Sequence, residues 1–247
     1  MGDILKNIAR KIRGILRQIK FVFDYVEFRK LANDGRFFIE WKDRYPCLDD
    51  KTNTTGFDRH YLYHPAWAAR VLAETKPAEH IDISSTLGFA TMLSAFIPVR
   101  FYDFRPADVR LSNLNSVAGN IVDLPFENNS VPSMSCMHVV EHIGLGRYGD
   151  PMDPDGDLKA ISELTRVLAI EGNLLFVVPV GKPKVMFNAH RIYSYEQVLD
   201  YFAGLKLVSF ALISERQEDG GLDFEATGDE VATQEYGCGC FWFTKLG

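Results

Sequence analysis

Two histidines and an aspartate stand just beyond apolar runs of the sequence, and their side chains can move protons or bind a polar ligand. Asp103 closes one short run, His142 follows a second, and His190 lies on the loop after a third. The carboxyl ends of parallel strands meet at one edge of an open sheet, so we expect all three there. A histidine with a near-neutral pKa suits a general base. We therefore predict His142 as the first candidate base and His190, together with Tyr193, as the second.

The elements that position these side chains alternate between strands and helices. The stretch 79–104 reads as strand, turn, helix and strand, with Asp82 in the first strand. This is half of a nucleotide-binding βαβ unit. The continuous apolar run 173–179 is typical of a central parallel strand buried on both faces. The order of elements predicts an α/β fold with a mostly parallel central sheet. Further elements are expected as strands near 117–120, 133–140, 206–214 and 238–244 and as helices near 158–169 and 195–202.

Composition narrows the class of protein. The chain has 247 residues, of which 47% are hydrophobic and 24% charged, so one large domain with an N-terminal extension is expected. The net charge of −6 argues against a general nucleic-acid binder. Four cysteines without a CxxC pair or zinc spacing predict reduced core thiols in a cytoplasmic protein. No uncharged apolar run approaches the roughly 20 residues that span a bilayer.

The chain divides into three parts by pattern. Residues 1–30 predict a basic amphipathic helical extension, residues 31–77 a lid or cap segment with a helix, and residues 78–247 the α/β domain. Within the last part, residues 215–237 contain eight acidic residues and one arginine. That composition predicts a solvated, mobile loop or protruding hairpin.

The basic extension has two interpretations. Residues 1–20 carry six basic groups against Asp3, a local charge of +5, which leaves −11 for the remainder. Charges interrupt the apolar positions every three or four residues, so we do not expect a signal peptide. A basic amphipathic helix lies in the interface of an anionic membrane, which would make the protein peripheral at the membrane. Alternatively, the helix packs on the domain or on a second subunit. The oligomeric state is left open.

Aromatic and histidine-rich residues precede the nucleotide-binding stretch. The cluster from His60 to Pro65 includes His64, and Pro65 predicts the first turn of a helix that continues to Thr75. Such a segment could fold over a ligand as a lid, with His64 contacting that ligand. It could equally pack at the edge of the sheet, which is the favoured interpretation for Tyr61 and Trp67.

Downstream motifs carry a resemblance to a known family. Leu124-Pro125-Phe126, Val140-Glu141-His142 and Arg166-Val167-Leu168 stand in order before the apolar strand, and FNAHRIYSYEQV follows it. In this order they resemble the class I S-adenosylmethionine (SAM)-dependent methyltransferases over about residues 78–245. The stretches GLGRYGDP and VPVGKPK also resemble an uncharacterised bacterial and nematode group, domain of unknown function 268. The resemblance implies a three-layer Rossmann-like fold with a C-terminal antiparallel strand.

The resemblance also implies a cofactor site for SAM. Asp103 would accept hydrogen bonds from the ribose hydroxyls, Asn120 would meet the adenine amino group, and Asp82 would lie beneath the methionine part. The family's turn has glycine at three positions that are here Ser84, Thr86 and Gly88. Two interpretations of this turn remain open: either its hydroxyls and N–H groups still bind the methionine carboxylate, or the fold is kept while SAM binding is weak or lost.

The acceptor side is predicted from residues on the same edge. An anionic or sugar acceptor would meet Arg147, Tyr148 and Arg191, with His64 on the lid. His138, within its strand, is interpreted as a buried histidine whose hydrogen bonds are satisfied. The aspartates of 150–157 lack the spacing of a calcium loop, so they are interpreted as turn residues and no metal is predicted.

Two functions follow from these residues. The favoured one is a SAM-dependent methyltransferase for a small-molecule or glycan-like acceptor. The alternative is a non-catalytic binding or assembly protein of the same fold. The ordered motifs support the enzyme, and the turn from Ser84 to Thr86 supports the alternative, since a fold alone does not establish activity.

Overall fold

The computed structural model describes residues 2–32 and 35–247 and divides into two units, one ending at Phe57 and one running from Asp58 to Gly247. In the first unit, helix α1 spans Gly2–Leu31, and a short 3₁₀ turn follows at Trp41–Asp43. The indole of Trp41 contacts the ring of Tyr25, with centroids 4.9 Å apart. Among the helices of the described residues, none combines the length and the apolar content needed to cross a membrane.

The second unit alternates strands and helices as the sequence predicts. Its α-helices are α2 (Arg59–Thr75), α3 (Leu87–Leu93), α4 (Gly156–Val167), α5 (Tyr195–Tyr201) and α6 (Gly228–Ala232). Its strands are β1 (His80–Ile83), β2 (Val99–Asp103), β3 (Leu114–Ala118), β4 (Val131–Met137), β5 (Leu168–Val180), β6 (Lys184–Met186), β7 (His190–Ile192), β8 (Leu205–Ile213), β9 (Leu222–Asp223) and β10 (Gly237–Lys245). Short 3₁₀ turns occur at Val140–His142 and Gln217–Asp219.

One large sheet organises the unit. Its strand order is β3-β2-β1-β4-β5-β10-β8-β9, and β6 pairs separately with β7. Strands β3, β2, β1, β4 and β5 run parallel to one another. Strand β10 lies between β5 and β8 and is antiparallel to both. The predicted mostly parallel sheet with a C-terminal antiparallel strand is confirmed.

Helices cover both faces of this sheet and make three layers. Neighbouring residues of β5 point to opposite faces, as in any strand. Phe176 packs in the core on the side of α4 and α5, where its ring lies 4.8 Å from that of Phe202. Val177 packs in the other core, with Trp67 of α2 and Phe89 of α3. Burial on both faces explains why β5 is a continuous apolar run.

Several predicted boundaries are wrong, for local reasons. Strand β3 begins and ends earlier than 117–120. Strand β4 stops at Met137, because His138 turns the chain with a φ of +58°. Helix α2 starts at Arg59, six residues before Pro65, where the side chain of Asp58 caps it by accepting the N–H of Tyr61. The segment predicted as a loop before α5 contains the β6–β7 hairpin.

Most residues of the acidic segment 215–237 are exposed, as predicted, and β9 within it pairs antiparallel with β8 in a hairpin, the second of the two predicted forms. Helix α6 within it starts with a capping box, in which the side chains of Thr227 and Glu230 bond each other's backbone N–H groups. Val231 is completely buried against the core. Leu222 and Ala226 also pack against the core, so these apolar contacts and the capping box hold the acidic segment on the domain.

Candidate functional site

The carboxyl ends of β1, β2, β3 and β4 meet at one edge of the sheet, where polar side chains surround a cavity. This first cavity has a volume of about 280 Å³. Its lining includes Ser84 after β1, Asp103 at the end of β2, Asn120 after β3, and His138 and His142 after β4. The structure thus brings together the predicted Ser84, Asp103, Asn120 and His142, and it adds His138 to them.

The turn after β1 keeps a glycine-like backbone without glycine. Ser84 has a φ of +54°, a conformation that side-chain-bearing residues rarely adopt. Its backbone N–H and its hydroxyl both donate to the carbonyl oxygen of Tyr102, at 2.8 and 2.9 Å. The hydroxyl of Ser85 accepts the N–H of Met137 at 3.1 Å. Thr86 caps α3 by accepting the N–H of Phe89 at 3.2 Å. The three hydroxyls are therefore held within the protein.

Three predicted cofactor residues support the turn and do not line the first cavity. Asp82 is completely buried, and its Oδ1 accepts the N–H of Ser85 at 2.9 Å. Burial raises the pKa of Asp82 to about 7. Thr86 is the helix cap, and Gly88 lies in the first turn of α3. In the structure these three residues support the turn, and the predicted role of Asp82 beneath a ligand, directly or through water, stays a prediction.

Asp103 and Asn120 face the first cavity from neighbouring strands. Asp103 is half-buried, and its Oδ1 accepts the N–H of Arg105 at 2.7 Å, which leaves Oδ2 for a ligand. Asn120 accepts the N–H of Val122 at 3.2 Å and so keeps its amide at the cavity. Between them lies Gly119, where a β-carbon would approach the Tyr102 ring to 2.9 Å. A bare backbone is therefore required beside the cavity at this position.

A second, more polar cavity of about 540 Å³ adjoins the first. Its lining includes Tyr61, Glu141, Arg147, His190 and Tyr236. Three residues line both cavities: His138, His142 and Tyr148. Two ligands, one in each cavity, would therefore meet beside these three side chains.

Two contacts of the His142 side chain favour different tautomers. Its Nδ1 lies 2.6 Å from the carbonyl oxygen of Ala189, and the guanidinium of Arg147 lies 3.1 Å from the same oxygen. A carbonyl oxygen can only accept, so the short contact with Ala189 favours the tautomer with the proton on Nδ1, while the guanidinium of Arg147, 3.3 Å from Nδ1, favours the other. With the proton on Nδ1, the Nε2 atom is an acceptor, and it lies 3.7 Å from the Glu141 carboxylate, beyond hydrogen-bond length. In this tautomer Nε2 can take a proton from a ligand at the junction of the cavities.

A buried chain of three side chains lies behind His142. The Nδ1 of His138 lies 2.8 Å from Oε1 of Glu141, and its Nε2 lies 3.4 Å from the Sγ of Cys238. Burial lowers the pKa of His138, but Cys238 and Glu141 outweigh this effect and raise it to about 10. Burial raises the pKa of the Cys238 thiol well above its ordinary value. His138 is thus buried and bonded, as predicted, but as the partner of a carboxylate beside both cavities.

His60 extends this chain towards α2. The ligand atoms of His60, His138 and Cys238 lie within 4.8 Å of one another. However, the rings of His60 and His138 are stacked almost parallel, with 10° between their planes. A metal ion lies close to the plane of each imidazole that binds it, and two stacked rings do not share such a point. The cluster in this arrangement is a hydrogen-bonded and stacked group.

The other predicted site residues divide between the cavities and the core. His190, Arg147 and Tyr148 line the second cavity, and burial lowers the pKa of His190. His64 is fully buried, with Nδ1 2.7 Å from the carbonyl of His60, and burial lowers its pKa to about 3. It does not line either cavity, so its predicted contact with an acceptor is corrected. Its Nε2 has no hydrogen-bond partner among the described residues.

Tyr193 and Arg191 brace the loop that covers the cavities, which corrects their predicted roles. Both side chains are buried. The hydroxyl of Tyr193 donates to Asp157 at 2.9 Å. The guanidinium of Arg191 donates to the carbonyl oxygens of Ile143 and Pro154 and lies 3.4 Å from Asp157. These contacts hold the two ends of the loop 143–157.

Backbone contacts shape the rest of that loop. Asp150 accepts the N–H groups of Gly144 and Tyr148, at 2.7 and 3.2 Å. Gly144 has a φ of +79°, and a β-carbon there would lie 1.9 Å from the carbonyl oxygen of Asp153. The aspartates of this loop therefore act through backbone and side-chain bonds within the protein.

Glu141, Tyr61 and Tyr236 are among the cavity residues that carried no predicted role at a site. Glu141 stands beside His142 in the quoted motif, and a carboxylate next to a candidate base is a signal that could have found it. Tyr61 lies in the cluster interpreted as packing, yet its ring is stacked on His138 with centroids 5.3 Å apart. Tyr236 lies in the acidic segment, and it reaches the cavity because it immediately precedes β10.

Comparison with known proteins gives a family match for part of the chain. Residues 126–233 match the family described as Caenorhabditis protein of unknown function, DUF268. No curated protein sequence matches the chain.

Solved structures resemble the chain over about three quarters of its length. A candidate methyltransferase from Bacillus halodurans has a TM-score of 0.53 at 16% identity, covering 74% of this chain and 99% of its own. A candidate sarcosine dimethylglycine methyltransferase from Galdieria sulphuraria has a TM-score of 0.52 at 15% identity, covering 74% and 84%. Geranyl diphosphate C-methyltransferase from Streptomyces coelicolor, solved with Mg²⁺, geranyl diphosphate and S-adenosyl-L-homocysteine, has a TM-score of 0.51 at 13% identity, covering 73% and 77%. The protein therefore has the three-layer fold of the class I SAM-dependent methyltransferases, and its residues 126–233 match the DUF268 family.

Proposed function

We propose that the protein is a SAM-dependent methyltransferase that acts on a hydroxyl group of a small-molecule or glycan-like acceptor. The observation that carries the proposal is the position of His142. It lines both cavities, and its contact with Ala189 favours Nε2 as an acceptor between them. A transferase for two ligands needs such a junction, because in-line transfer requires donor and acceptor in contact.

The first cavity fits the cofactor. Asp103 offers a carboxylate at the end of β2, where this fold binds ribose hydroxyls. Asn120 offers an amide that can accept from an amino group. Gly119 keeps bare backbone between them. Below the turn, Asp82 has a buried Oδ2 without a hydrogen-bond partner among the described residues, which suits a ligand or water that donates.

SAM supplies an electrophilic methyl group when bound. The protein's own part is to position the acceptor and to take its proton. His142 takes the proton at Nε2, while its Nδ1–H stays bonded to Ala189. The buried Glu141 carboxylate, 3.7 Å from Nε2, stabilises the imidazolium that results.

The second cavity fits a polar acceptor. Aromatic rings of Tyr61 and Tyr236 line one part of it, and the cationic Arg147 lines another. Rings stack on sugar or apolar surfaces, and a guanidinium binds hydroxyl or anionic groups. His190, the second candidate base, also lines this cavity.

The alternative of a non-catalytic protein depends on the turn from Ser84 to Thr86. Its backbone retains the left-handed conformation that glycine would supply, and its hydroxyls are bonded within the protein. The serine-rich sequence therefore gives no specific support for the alternative.

The first test is cofactor binding. Calorimetric titration with SAM and S-adenosylhomocysteine is expected to show binding, and Asp103→Ala is expected to weaken it by about ten- to a hundredfold, the equivalent of about 1.5–3 kcal/mol for hydrogen bonds to a charged group. Asp108→Ala is the matched control, because Asp108 is highly exposed and is paired with the equally exposed Arg110. No heat with the wild type, or equal weakening by both variants, contradicts the proposal.

The second test addresses the turn. Ser84→Gly relieves about 1–3 kcal/mol of backbone strain and loses one hydrogen bond of about 1 kcal/mol, so stability is expected to change little. SAM affinity is expected to stay equal or to rise. Ser84→Ala, which keeps the strain and loses the bond, should be about 1 kcal/mol less stable in urea unfolding. A clear loss of SAM affinity in Ser84→Gly would instead assign the hydroxyl to the ligand.

We further infer a cytoplasmic location. The thiols of Cys136, Cys238 and Cys240 are buried and unpaired by disulfides. Free core thiols are typical of a reducing compartment.

A further inference from the structure

Helix α1 exposes a row of apolar side chains that the first unit leaves uncovered. Ten of them are 43% to 71% exposed: Ile4, Leu5, Ile8, Ile12, Ile15, Leu16, Ile19, Val22, Phe23 and Val26. We call this set the apolar stripe. Soluble proteins rarely expose so many contiguous apolar side chains without a binding partner.

The stripe is one face of the helix. At about 100° per residue, the ten positions fall within an arc of about 120°. The contacts that α1 makes with the rest of its unit lie on another face. Tyr25 and Phe21 meet Trp41 there, and Arg17 pairs with Asp49. Among the described residues, the segment that follows α1 therefore leaves these ten side chains exposed.

Basic side chains occupy the rest of the first five turns. Lys6, Arg10, Lys11, Arg13, Arg17 and Lys20 all lie outside the stripe. With the same rotation of about 100° per residue, Lys11 lies beside one edge of the stripe and Lys20 lies beside the other edge. The helix thus presents apolar groups flanked by positive charge, which complements a surface with an apolar interior and anionic head groups.

We propose that the apolar stripe of α1 binds the surface of a bilayer that contains anionic lipids. The helix lies in the interface, with the stripe in the boundary between head groups and acyl chains and the lysine stems reaching back to the phosphates. This binding is independent of methyl transfer. A second copy of the chain is the less favourable occupant, because pairing two stripes brings two groups of six basic residues within a Debye length. Such a dimer is therefore an outcome that the test must detect.

The test is flotation of the full chain with vesicles. Vesicles of phosphatidylcholine and phosphatidylglycerol are expected to carry the protein to the top of the gradient, and vesicles of phosphatidylcholine alone are expected to bind it at least tenfold more weakly. Added salt should release it, because the ionic contribution is screened. Equal binding to both kinds of vesicle contradicts the ionic part of the proposal.

Two variants separate the contributions. Ile8→Gln with Ile15→Gln removes two stripe side chains and is expected to reduce binding more than tenfold, since each buried isoleucine contributes about 1.5–3 kcal/mol. Lys6→Gln with Lys11→Gln should reduce binding about fivefold per residue, the equivalent of about 1 kcal/mol each.

The control is Phe37→Ser with Phe38→Ser, which removes two exposed apolar side chains outside the stripe. Circular dichroism and thermal unfolding show that the variants keep helix and domain. The proposal is overturned if the control loses binding equally, if neither vesicle binds, or if sedimentation shows a dimer that the isoleucine variant dissociates.

Discussion

Replacing Glu141 by alanine is expected to lower the free energy of unfolding by about 3–5 kcal/mol, because it leaves the charge of His138 buried without a partner. The side chain of Glu141 is 1% exposed and that of His138 is 3% exposed, with 2.8 Å between their nearest atoms. Water cannot replace the lost carboxylate at this depth. Urea unfolding, monitored by circular dichroism, measures the change.

Glu141→Gln is the matched control. The amide oxygen keeps the shape and can still accept from His138, so a smaller loss is expected than for alanine. A loss below about 1 kcal/mol in Glu141→Ala would show that His138 is neutral in the folded protein and that the pair does not contribute as a charged one.

The pair of His138 and Glu141 also makes the stability of the folded protein depend on pH. The pKa of His138 rises from 6.5 to about 10, where burial opposes and Cys238 and Glu141 favour the charged form. A raised pKa in the folded state gives stability that is fully present below pH 6.5 and is lost as pH rises through about 10. The wild type should therefore lose stability over this window, and Glu141→Gln should lose less.

Replacing His142 by glutamine is expected to lower the rate of methyl transfer by about 10²–10⁴-fold, the usual contribution of a general base. The measurement is transfer of a radiolabelled methyl group from SAM to a pool of small-molecule and glycan acceptors. SAM binding should change only a few-fold, because Asp103 and Asn120 remain. Glutamine can donate to Ala189 as the imidazole does, but it cannot take a proton.

His190→Gln provides the comparison for His142→Gln. His190 lines only the second cavity, and burial lowers its pKa, so a smaller loss of rate is expected. If His190→Gln loses the larger factor, the base is His190. If both variants keep full rate with a responsive acceptor, neither histidine takes the proton.

Much of the fold could be predicted from local pattern. Apolar runs and helical spacing located the strands of the parallel sheet, and the order of motifs identified the fold. What pattern could not predict is the effect of single backbone positions. A φ of +58° at His138 ends β4 three residues before the predicted end, and no composition signals it.

The candidate site was predicted in part, and the gaps have a common physical cause. Asp103 and His142 were expected at this edge because each stands at or beyond the end of an apolar run, and Asn120 was expected there from the family resemblance; all three line the first cavity. Tyr236 and Cys238 come from the far end of the domain, and only the pairing of β10 with β5 brings them to the same edge. Tyr193 and Arg191 were misassigned because sequence cannot show whether a polar side chain on a loop faces a cavity or the core.

The position of β10 has a consequence for the order in which the protein forms. Although β10 is the last strand of the sheet in sequence, it lies in the interior, bonded to β5 on one side and β8 on the other. During synthesis, β1 to β5 can assemble early, but β5 keeps an unpaired edge until β10 arrives, and an open edge invites association with other chains. Because Cys238 is in β10 and Tyr236 precedes it, the contacts behind His138 are completed only at that last step. When the nascent chain folds, the site is therefore completed only after the sheet is complete.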